Sequence, residues 1–258
     1  MAEAGKTSLR DTIGKHICQL GKDCDKVVVV NADLAGTCRN TSFVTGFPGR
    51  SFNVGIAEQN LVSFSAGLAH EGFIPFAFTM APFMSMRACE QCRTDVAYAN
   101  LKVRLIATYA GVSGRISGAT HWAIEDCGIM TSIPNMLVLE PSDPLQAQKM
   151  LDASLSYVGP IYMRSSVEPV ISIYKNDYDY QFGRADTVAE GDDGAIICSG
   201  VVVQYALEAS NMVFKATHKK IRVVDMHTIK PIDRKAVEDA CKTGFVIVAQ
   251  DHNVYGGL

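Results

Sequence analysis

The sequence has no hydrophobic run of about 18 residues, so it predicts no membrane-spanning helix. Its first ten residues lack the apolar core of a signal peptide. The 24 basic and 27 acidic residues give a net charge of −3, and the pI is about 6.1, which argues against the strongly basic surface of a nucleic-acid binder. We therefore expect a cytoplasmic protein that binds neither membrane nor nucleic acid.

Cysteine is sparse as well, because eight cysteines in 258 residues fall well below the density of a disulfide scaffold. Cys89 and Cys92 form a CxxC pair, but no second pair follows at the spacing of a zinc ribbon. The segment around them has no glycine or proline and is typical of a helix interior. We therefore interpret the pair as packing residues and predict no metal site on this chain.

What the sequence does contain is a repeated alternation of short apolar runs and amphipathic segments. With 48% hydrophobic and 20% charged residues, it is typical of a packed globular protein with two domains or one large α/β unit. A first series indicates a parallel sheet with helices on both faces. Its predicted strands are 27–30, 73–78, 103–108, 136–139 and 161–164, and its predicted helices are 9–20, 82–100, 120–132 and one that begins at Ser142-Asp143-Pro144.

A second alternating series follows a segment rich in Tyr, Asp, Asn and Gly. We therefore predict a first domain over 1–165, a linker over 166–190 and a second α/β domain over 191–258. The second series predicts strands at 195–198, 221–225 and 245–249, and helices at 201–216 and 233–241. A glycine pair after a strand usually opens a turn into a helix, and the sequence stops at Gly256-Gly257-Leu258. We expect the second domain to be incomplete.

One segment carries the functional signal. Glu58 lies in the first predicted turn of a helix, where the helix dipole stabilises a carboxylate by roughly 0.3–1 kcal/mol, and this alone explains a generic glutamate. The wider pattern, however, resembles the transketolase family over nearly the whole chain. The resemblance rests on the order and spacing of NADL at 31–34, NVGIAEQN at 53–60, RACEQ at 87–91, GATH at 118–121, IPN at 133–135, EPSD at 140–143, TIKP at 228–231 and GGL at 256–258.

The resemblance implies a parallel-sheet thiamine-diphosphate-binding fold, of which this chain is the pyrimidine-binding domain followed by the second, incomplete α/β domain. It implies the C-terminal subunit of a split transketolase, which transfers a two-carbon ketol unit from a ketose phosphate to an aldose. The diphosphate and its Mg²⁺ would be bound mainly by an N-terminal partner subunit, because this chain shows no GDG…N-type metal motif. An obligate hetero-oligomer, in an α₂β₂ arrangement, and a place in carbohydrate metabolism such as the pentose phosphate route are expected.

The resemblance also assigns cofactor-binding residues. Glu58 takes the family position of the carboxylate that binds a pyrimidine nitrogen and activates the cofactor, and a buried carboxyl can hold or share the necessary proton. Phe83 takes the position of the aromatic ring that stacks on the pyrimidine. Met80 stands where an aromatic is common, and its thioether could still contact the ring. Asp33 completes the expected cofactor-binding set.

Substrate binding is assigned to a second group. Arg10, Thr37 and Arg164 match family positions that grip the sugar phosphate, and an arginine fork donates two parallel hydrogen bonds to such a group. A surface salt bridge is the commoner use of an arginine, so this alternative stays open for each. His121 matches a substrate-contacting histidine, which would share catalysis with Glu58.

Three departures from the family pattern indicate altered sugar recognition. Ser117 stands where an aspartate often recognises a donor hydroxyl, Tyr109 replaces a second substrate histidine, and Trp122 replaces a glutamine after His121. We therefore expect an unusual ketose donor or aldose acceptor, for example a branched or less hydroxylated one. Two alternatives remain open: the β subunit of a 2-oxo acid dehydrogenase, and a catalytically silent partner that keeps the fold.

Overall fold

The computed structural model describes residues 5–258, and these form three sheets flanked by helices. The strands are β1 (Lys6–Thr7), β2 (Val27–Asn31), β3 (Ser51–Asn53), β4 (Ile74–Met80), β5 (Arg104–Thr108), β6 (Leu137–Leu139), β7 (Ile161–Ser165), β8 (Val170–Ile171), β9 (Asp186–Ala189), β10 (Ala195–Cys198), β11 (Arg222–Asp225), β12 (Thr228–Lys230) and β13 (Val246–Ala249). The α-helices are α1 (Leu9–Asp23), α2 (Thr41–Gly46), α3 (Glu58–His70), α4 (Cys89–Gln91), α5 (Asp126–Ser132), α6 (Pro144–Ser154), α7 (Val202–Thr217) and α8 (Arg234–Cys241).

The largest sheet has seven strands in the order β12-β6-β7-β5-β4-β2-β3, and only β12 runs antiparallel to its neighbour. Helices α1 and α6 pack on one face, and α3 and α5 pack on the other. Every residue of β2 is buried, as its run of four valines predicts for a strand covered on both faces. The predicted parallel α/β fold is therefore confirmed.

Two predicted helix starts are confirmed by their caps. The Ser8 hydroxyl accepts a hydrogen bond from the backbone N–H of Asp11, and α1 begins at Leu9, directly after Ser8. The Asp143 carboxylate accepts from the N–H of Gln146 at 2.7 Å, and Pro144 opens α6. These caps satisfy backbone donors that the first helical turn leaves free.

Two predicted helices differ from the structure. The region 82–100 is only briefly α-helical at α4, because Phe83–Arg87 and Cys92–Ala97 are π-helical, and such segments often occur at functional sites. The predicted helix over 120–132 begins only with α5. The residues before it form short 3₁₀ turns at Arg115–Ser117 and Ala119–His121, which Gly118 separates with a φ of 75°.

The second unit is built on a sheet of order β13-β10-β11-β9, with α7 and α8 packed on it. The strands and helices predicted over 195–249 all form within about one residue. The expected linker, 166–190, is not irregular throughout, because β8 pairs with β1 and β9 is the antiparallel edge of this second sheet. Strand β12 was not predicted. It follows β11 of the second sheet along the chain, but it pairs with β6 of the first sheet. No helix within residues 5–258 has the length and hydropathy needed to cross a membrane.

Candidate active site

Polar and aromatic side chains gather where the central parallel strands end. Asn31, Asn53 and Met80 end β2, β3 and β4, and Glu58 begins α3 five residues after β3 ends. Carboxyl ends of parallel strands share one edge of a sheet, which is where α/β proteins bind ligands. The Glu58 side chain is only 1% exposed, so a carboxylate lies buried at this edge.

Glu58 is the first member of a continuous chain of contacts. Its Oε2 accepts a hydrogen bond from Nη1 of Arg87 at 2.8 Å. The Arg87 guanidinium carbon lies 4.3 Å from the centre of the Phe83 ring, a cation–π distance. The Phe83 ring meets His121 edge to face, with ring centres 5.3 Å apart. The structure thus brings together three predicted site residues, Glu58, Phe83 and His121, and adds Arg87, which sequence reasoning missed.

Met80 and Asp33 lie at the same edge but have other partners. Met80 is buried at the end of β4, three residues before Phe83. The Asp33 carboxylate accepts from the Asn53 side-chain amide nitrogen at 3.1 Å, and the side-chain oxygen Oδ1 of Asn53 accepts from the backbone N–H groups of Asp33 and Gly55. Asp33 and Asn53 therefore fix the loop that leads to Glu58, and the structure does not bring Asp33 to the Glu58 carboxylate.

A second cluster joins Arg10, Thr37 and Tyr109, as the predicted substrate site requires. Nη1 of Arg10 donates to the Thr37 carbonyl at 2.9 Å and to the Tyr109 hydroxyl at 3.3 Å. Tyr109 has a φ of 64°, which is uncommon for a bulky residue and marks a position under local strain. The strained backbone carries the tyrosine ring to the arginine, whose Cζ lies 5.1 Å from the ring centre.

A cysteine lies next to this cluster but is not reactive. Burial raises the pKa of the Cys38 thiol to about 11, against smaller opposing effects of the Thr108 hydroxyl and the Arg10 charge. The thiol therefore stays protonated at neutral pH. Only a thiolate is nucleophilic, so Cys38 adds packing rather than chemistry.

The structure places Arg164 in a buried ion-pair network rather than in an open substrate pocket. Its side chain is fully buried, and its Nε and Nη1 donate to Asp126 at 2.8 Å and to Glu140 at 2.7 Å. Its remaining nitrogen donates to the carbonyls of Ala123 and Asp251. Four of its five N–H groups donate to protein acceptors and the side chain is fully buried, so Arg164 is not open to a sugar phosphate in this structure. Of the two alternatives, the structure favours the ion pair, and this pair is internal rather than on the surface.

The residues expected to recognise the sugar occupy an exposed segment. Ser117 ends the first 3₁₀ turn and is exposed, and His121 ends the second. The Trp122 indole donates to the Arg115 carbonyl at 3.3 Å, which ties the two turns together. The structure places Ser117 four residues before His121 on this segment and shows no direct contact between the two.

One buried group has the composition of a metal site. Ligand atoms of Asp126, Cys127 and His252 all lie within 4.8 Å of one another. Asp126 is already paired with Arg164, and burial raises the pKa of the Cys127 thiol far above its ordinary value. The group belongs to the buried Arg164 network, and the expected lack of a metal site on this chain stays a prediction.

The chain is similar to transketolases in both sequence and structure. Two transketolase families match the chain: the pyrimidine-binding domain over residues 5–169 and the C-terminal domain over residues 183–258. A 6-deoxy-6-sulfo-D-fructose transketolase subunit, SqwH, of Clostridium sp. strain MSTE9 is 36% identical over 97% of this chain and 78% of its own length. One of the apulose-4-phosphate transketolase subunits of Actinobacillus succinogenes is 34% identical over 95% of this chain and 79% of its own length.

Solved structures give the same result for the fold. One is described as a split gene transketolase, an inactive β4 tetramer, and it matches 98% of this chain and 83% of its own with a TM-score of 0.89 and 38% identity. A transketolase from Campylobacter jejuni matches 95% of this chain and 39% of its own with a TM-score of 0.86, at 23% identity. The sequence resemblance is therefore confirmed, and the chain belongs to the transketolase family as a pyrimidine-binding domain followed by a C-terminal domain.

Proposed function

We propose that this chain is the cofactor-activating subunit of a split transketolase that transfers a two-carbon ketol unit between sugar phosphates. The observation that carries the proposal is the buried Glu58 carboxylate beside Phe83, at the carboxyl edge of the main sheet. The close relatives that are named as transketolase subunits favour the same activity.

The residues present fit thiamine diphosphate. A flat, nitrogen-bearing group already lies against both Glu58 and the Phe83 ring, because the Arg87 guanidinium occupies that position. When bound, thiamine diphosphate would supply the nucleophilic carbon for ketol transfer. Glu58 would hold or share a proton with a pyrimidine ring nitrogen, and its burial would keep water from that contact. Phe83 would orient the ring by stacking on it. Met80 is buried at the end of β4, three residues before Phe83.

The substrate end is formed by this chain as well. Arg10, fixed by the Thr37 carbonyl and the Tyr109 hydroxyl, offers its remaining donors to an anionic group of the sugar. His121 contacts Phe83 and can donate to, or exchange a proton with, a sugar hydroxyl. Ser117, exposed before His121, contributes to the choice of donor. Arg164 is left out of this site because its nitrogens are all engaged.

A partner completes the site. We place the diphosphate and Mg²⁺ mainly on an N-terminal transketolase subunit, and we propose an α₂β₂ hetero-oligomer of the two chains. The existence of a partner is supported by the relatives, which are themselves named as subunits or sections of transketolases. For the domain boundaries we propose 1–165, 166–190 and 191–258, with β9 of the middle segment added to the second sheet. A cytoplasmic location and a pentose phosphate substrate stay predictions, and the relatives' names point to other sugar phosphates for those proteins.

The proposal is tested by reconstitution. This chain is mixed with its N-terminal subunit, thiamine diphosphate and Mg²⁺, and ketol transfer is measured across a panel of phosphorylated ketoses. Turnover that requires both chains and falls by at least about 10²-fold in Glu58→Gln supports it. A complex that binds cofactor but converts no donor would instead support the silent-partner alternative.

Donor choice has a separate test at Ser117. Ser117→Asp restores a carboxylate at the altered position, so we expect improved turnover of xylulose 5-phosphate and unchanged turnover of other donors. Ser156→Asp is the matched control. Ser156 is also exposed, but it lies before the amino end of β7, whereas the candidate site lies at the carboxyl ends of the strands. If Ser117→Asp behaves like Ser156→Asp with every donor, Ser117 does not contribute to specificity.

A further inference from the structure

Arg87 satisfies the two contacts that the proposed function assigns to the cofactor ring. Its Nη1 donates to Glu58 Oε2 at 2.8 Å, and its Cζ lies 4.3 Å from the centre of the Phe83 ring. A guanidinium group is planar and carries donors along its edge. An aminopyrimidine is planar too, and it meets a carboxyl group along its edge and an aromatic ring on its face. The two groups therefore compete for one place.

We propose that Arg87 is a placeholder for the aminopyrimidine: it pairs with Glu58 in the cofactor-free chain and leaves Glu58 and Phe83 when the cofactor ring binds. This inference rests on the proposed function. It makes Arg87 a positioning residue whose contacts belong to the cofactor-free state, not a residue that holds the cofactor.

The surroundings of Arg87 allow it to leave. Its side chain is 48% exposed, whereas that of Glu58 is 1% exposed, so only the arginine reaches water in place. Glu58 is the one carboxylate within residues 5–258 that pairs with it. An ion pair with an exposed partner is weak, because water solvates the released cation well. Arg87 also ends the π-helical segment Phe83–Arg87, where the backbone hydrogen bonds depart from the regular α pattern.

The chemistry of Glu58 gives the exchange its purpose. A buried carboxylate without a counterion is costly, and Arg87 supplies that counterion while the cofactor is absent. Arg87 also covers the face of Phe83, so the guanidinium and the cofactor ring cannot both lie against Phe83 beside Glu58.

The test uses the complex of this chain with its N-terminal subunit and Mg²⁺. Thiamine diphosphate is titrated into the wild-type complex and into Arg87→Met, with binding followed by calorimetry and by near-ultraviolet circular dichroism of the pyrimidine. We expect the Kd of Arg87→Met to fall about threefold to fivefold, as removal of a competing ion pair predicts. Arg234→Met, at an exposed arginine on α8, removes the same charge far from the site and should leave the Kd unchanged.

Thermal unfolding supplies a readout that a merely structural residue would not give. Arg87→Met should lower the Tm of the cofactor-free chain, because Glu58 loses its counterion. With cofactor at saturation, the variant and wild-type complexes should unfold at the same temperature. A deficit of equal size in both states would show an ordinary structural contact and would overturn the inference.

The binding outcomes separate the inference from the proposed function. An unchanged or raised Kd in Arg87→Met overturns the placeholder but leaves the proposed function standing. Absence of cofactor binding by both complexes, once their assembly is shown by sedimentation, overturns both. If Arg87→Met does not fold, Arg87→Ala with added methylguanidinium replaces it: the free cation should raise the cofactor Kd in this variant and not in the wild type.

Discussion

Arg10 and Arg164 carry the same charge in different surroundings. Arg164 is fully buried and each of its nitrogens donates to a protein acceptor. Arg10 is half-buried, its hydrogen bonds come from Nη1, and its Nε has no protein partner. An unsatisfied buried donor is costly unless a ligand completes it. Arg10 is therefore suited to an anionic ligand, and Arg164 stabilises the fold.

This difference predicts opposite effects of substitution. Arg164→Met leaves the Asp126 and Glu140 carboxylates buried without a counterion, so the free energy of unfolding should fall by about 3–5 kcal/mol. Arg10→Met should change it by less than about 1 kcal/mol but raise the KM for phosphorylated donors at least tenfold. Urea unfolding and steady-state kinetics of the reconstituted complex measure the two effects. A stable Arg164→Met with a raised KM would return Arg164 to the substrate site.

Individual site residues were predictable to different degrees. Glu58 and Phe83 stand in a specific sequence context, so the resemblance identified them, and the structure joins them. Arg87 belongs to a matched motif, but a motif does not show which side chain an arginine contacts across 29 positions of sequence. For Arg164 the acceptors come from several distant segments, and burial of a strand-end arginine depends on these long-range partners.

At the scale of the helices, two glycines show how close packing decides a substitution. Gly14 lies within α1, where an added Cβ would lie 1.9 Å from the Arg39 carbonyl oxygen. Gly67 lies within α3, where nothing is within 4 Å of an added Cβ. The first glycine allows backbone to approach the helix closely, whereas the second only lowers helix propensity.

We expect alanine to have opposite effects at these two positions. Gly14→Ala forces α1 away from the 39–40 backbone. It should lower the free energy of unfolding by about 1–3 kcal/mol, as overpacking does. Gly67→Ala should raise the free energy of unfolding by up to about 1 kcal/mol. Urea unfolding of the isolated chain tests both, and each variant controls for the other. Equal effects of the two changes would mean that α1 can shift away from the Arg39 backbone without loss of stability.

The elements themselves were largely predictable because they depend on local periodicity. Buried strands such as β2 are continuous apolar runs, and the caps at Ser8 and Asp143 have clear signatures. The π-helical turns before and after α4 were not predictable, since an extra residue per turn leaves the apolar spacing nearly helical. Strand β12 is too short to show a period, and its place in the sheet depends on β6, about 90 residues earlier.

At the scale of the whole molecule, a buried carboxylate links the two units. Asp225 ends β11, and its Oδ2 accepts hydrogen bonds from Ser142, Gln146 and Tyr174. Burial raises the pKa of Asp225, and the His227 charge and these hydrogen bonds oppose the rise. A raised folded-state pKa means that the folded chain binds this proton more tightly than the unfolded chain does.

The sign of the shift fixes a pH dependence. The stabilising contribution of Asp225 is fully present below about pH 3.8 and is lost as the pH rises through the raised folded-state pKa. We therefore expect the unfolding free energy of wild type, relative to Asp225→Asn, to decline from pH 4 toward neutrality. Partly exposed Asp239 is the control: hydrogen bonds from Lys235 and Lys242 lower its pKa to about 2, so Asp239→Asn should show no trend above pH 4. A wild-type advantage that grows with pH would mean that the three hydrogen bonds outweigh burial.

Exposed apolar side chains lie close in sequence to residues of the candidate active site. Ile56, Met86 and Ile116 are all exposed, and each lies within a few residues of Glu58, Arg87 or His121. Apolar groups around an open functional site are typical of a surface that another chain covers. The proposed function supplies that chain, because the N-terminal subunit would hold the diphosphate end of the cofactor whose pyrimidine reaches Glu58.

Ile56 offers the sharpest test of this arrangement. Its side chain is 78% exposed two residues before Glu58, so Ile56→Asp should leave the stability of the free chain within about 0.5 kcal/mol. Burial of a charge in the interface should weaken association with the N-terminal subunit at least tenfold and reduce ketol transfer in proportion. Val158→Asp is the matched control, since Val158 is 68% exposed just before the amino end of β7, away from the site. Sedimentation velocity of the mixed subunits measures the association, and sedimentation of this chain alone measures self-association. Full assembly by Ile56→Asp would place the partner on another face, and the proposed cofactor site between the two subunits would fail with it.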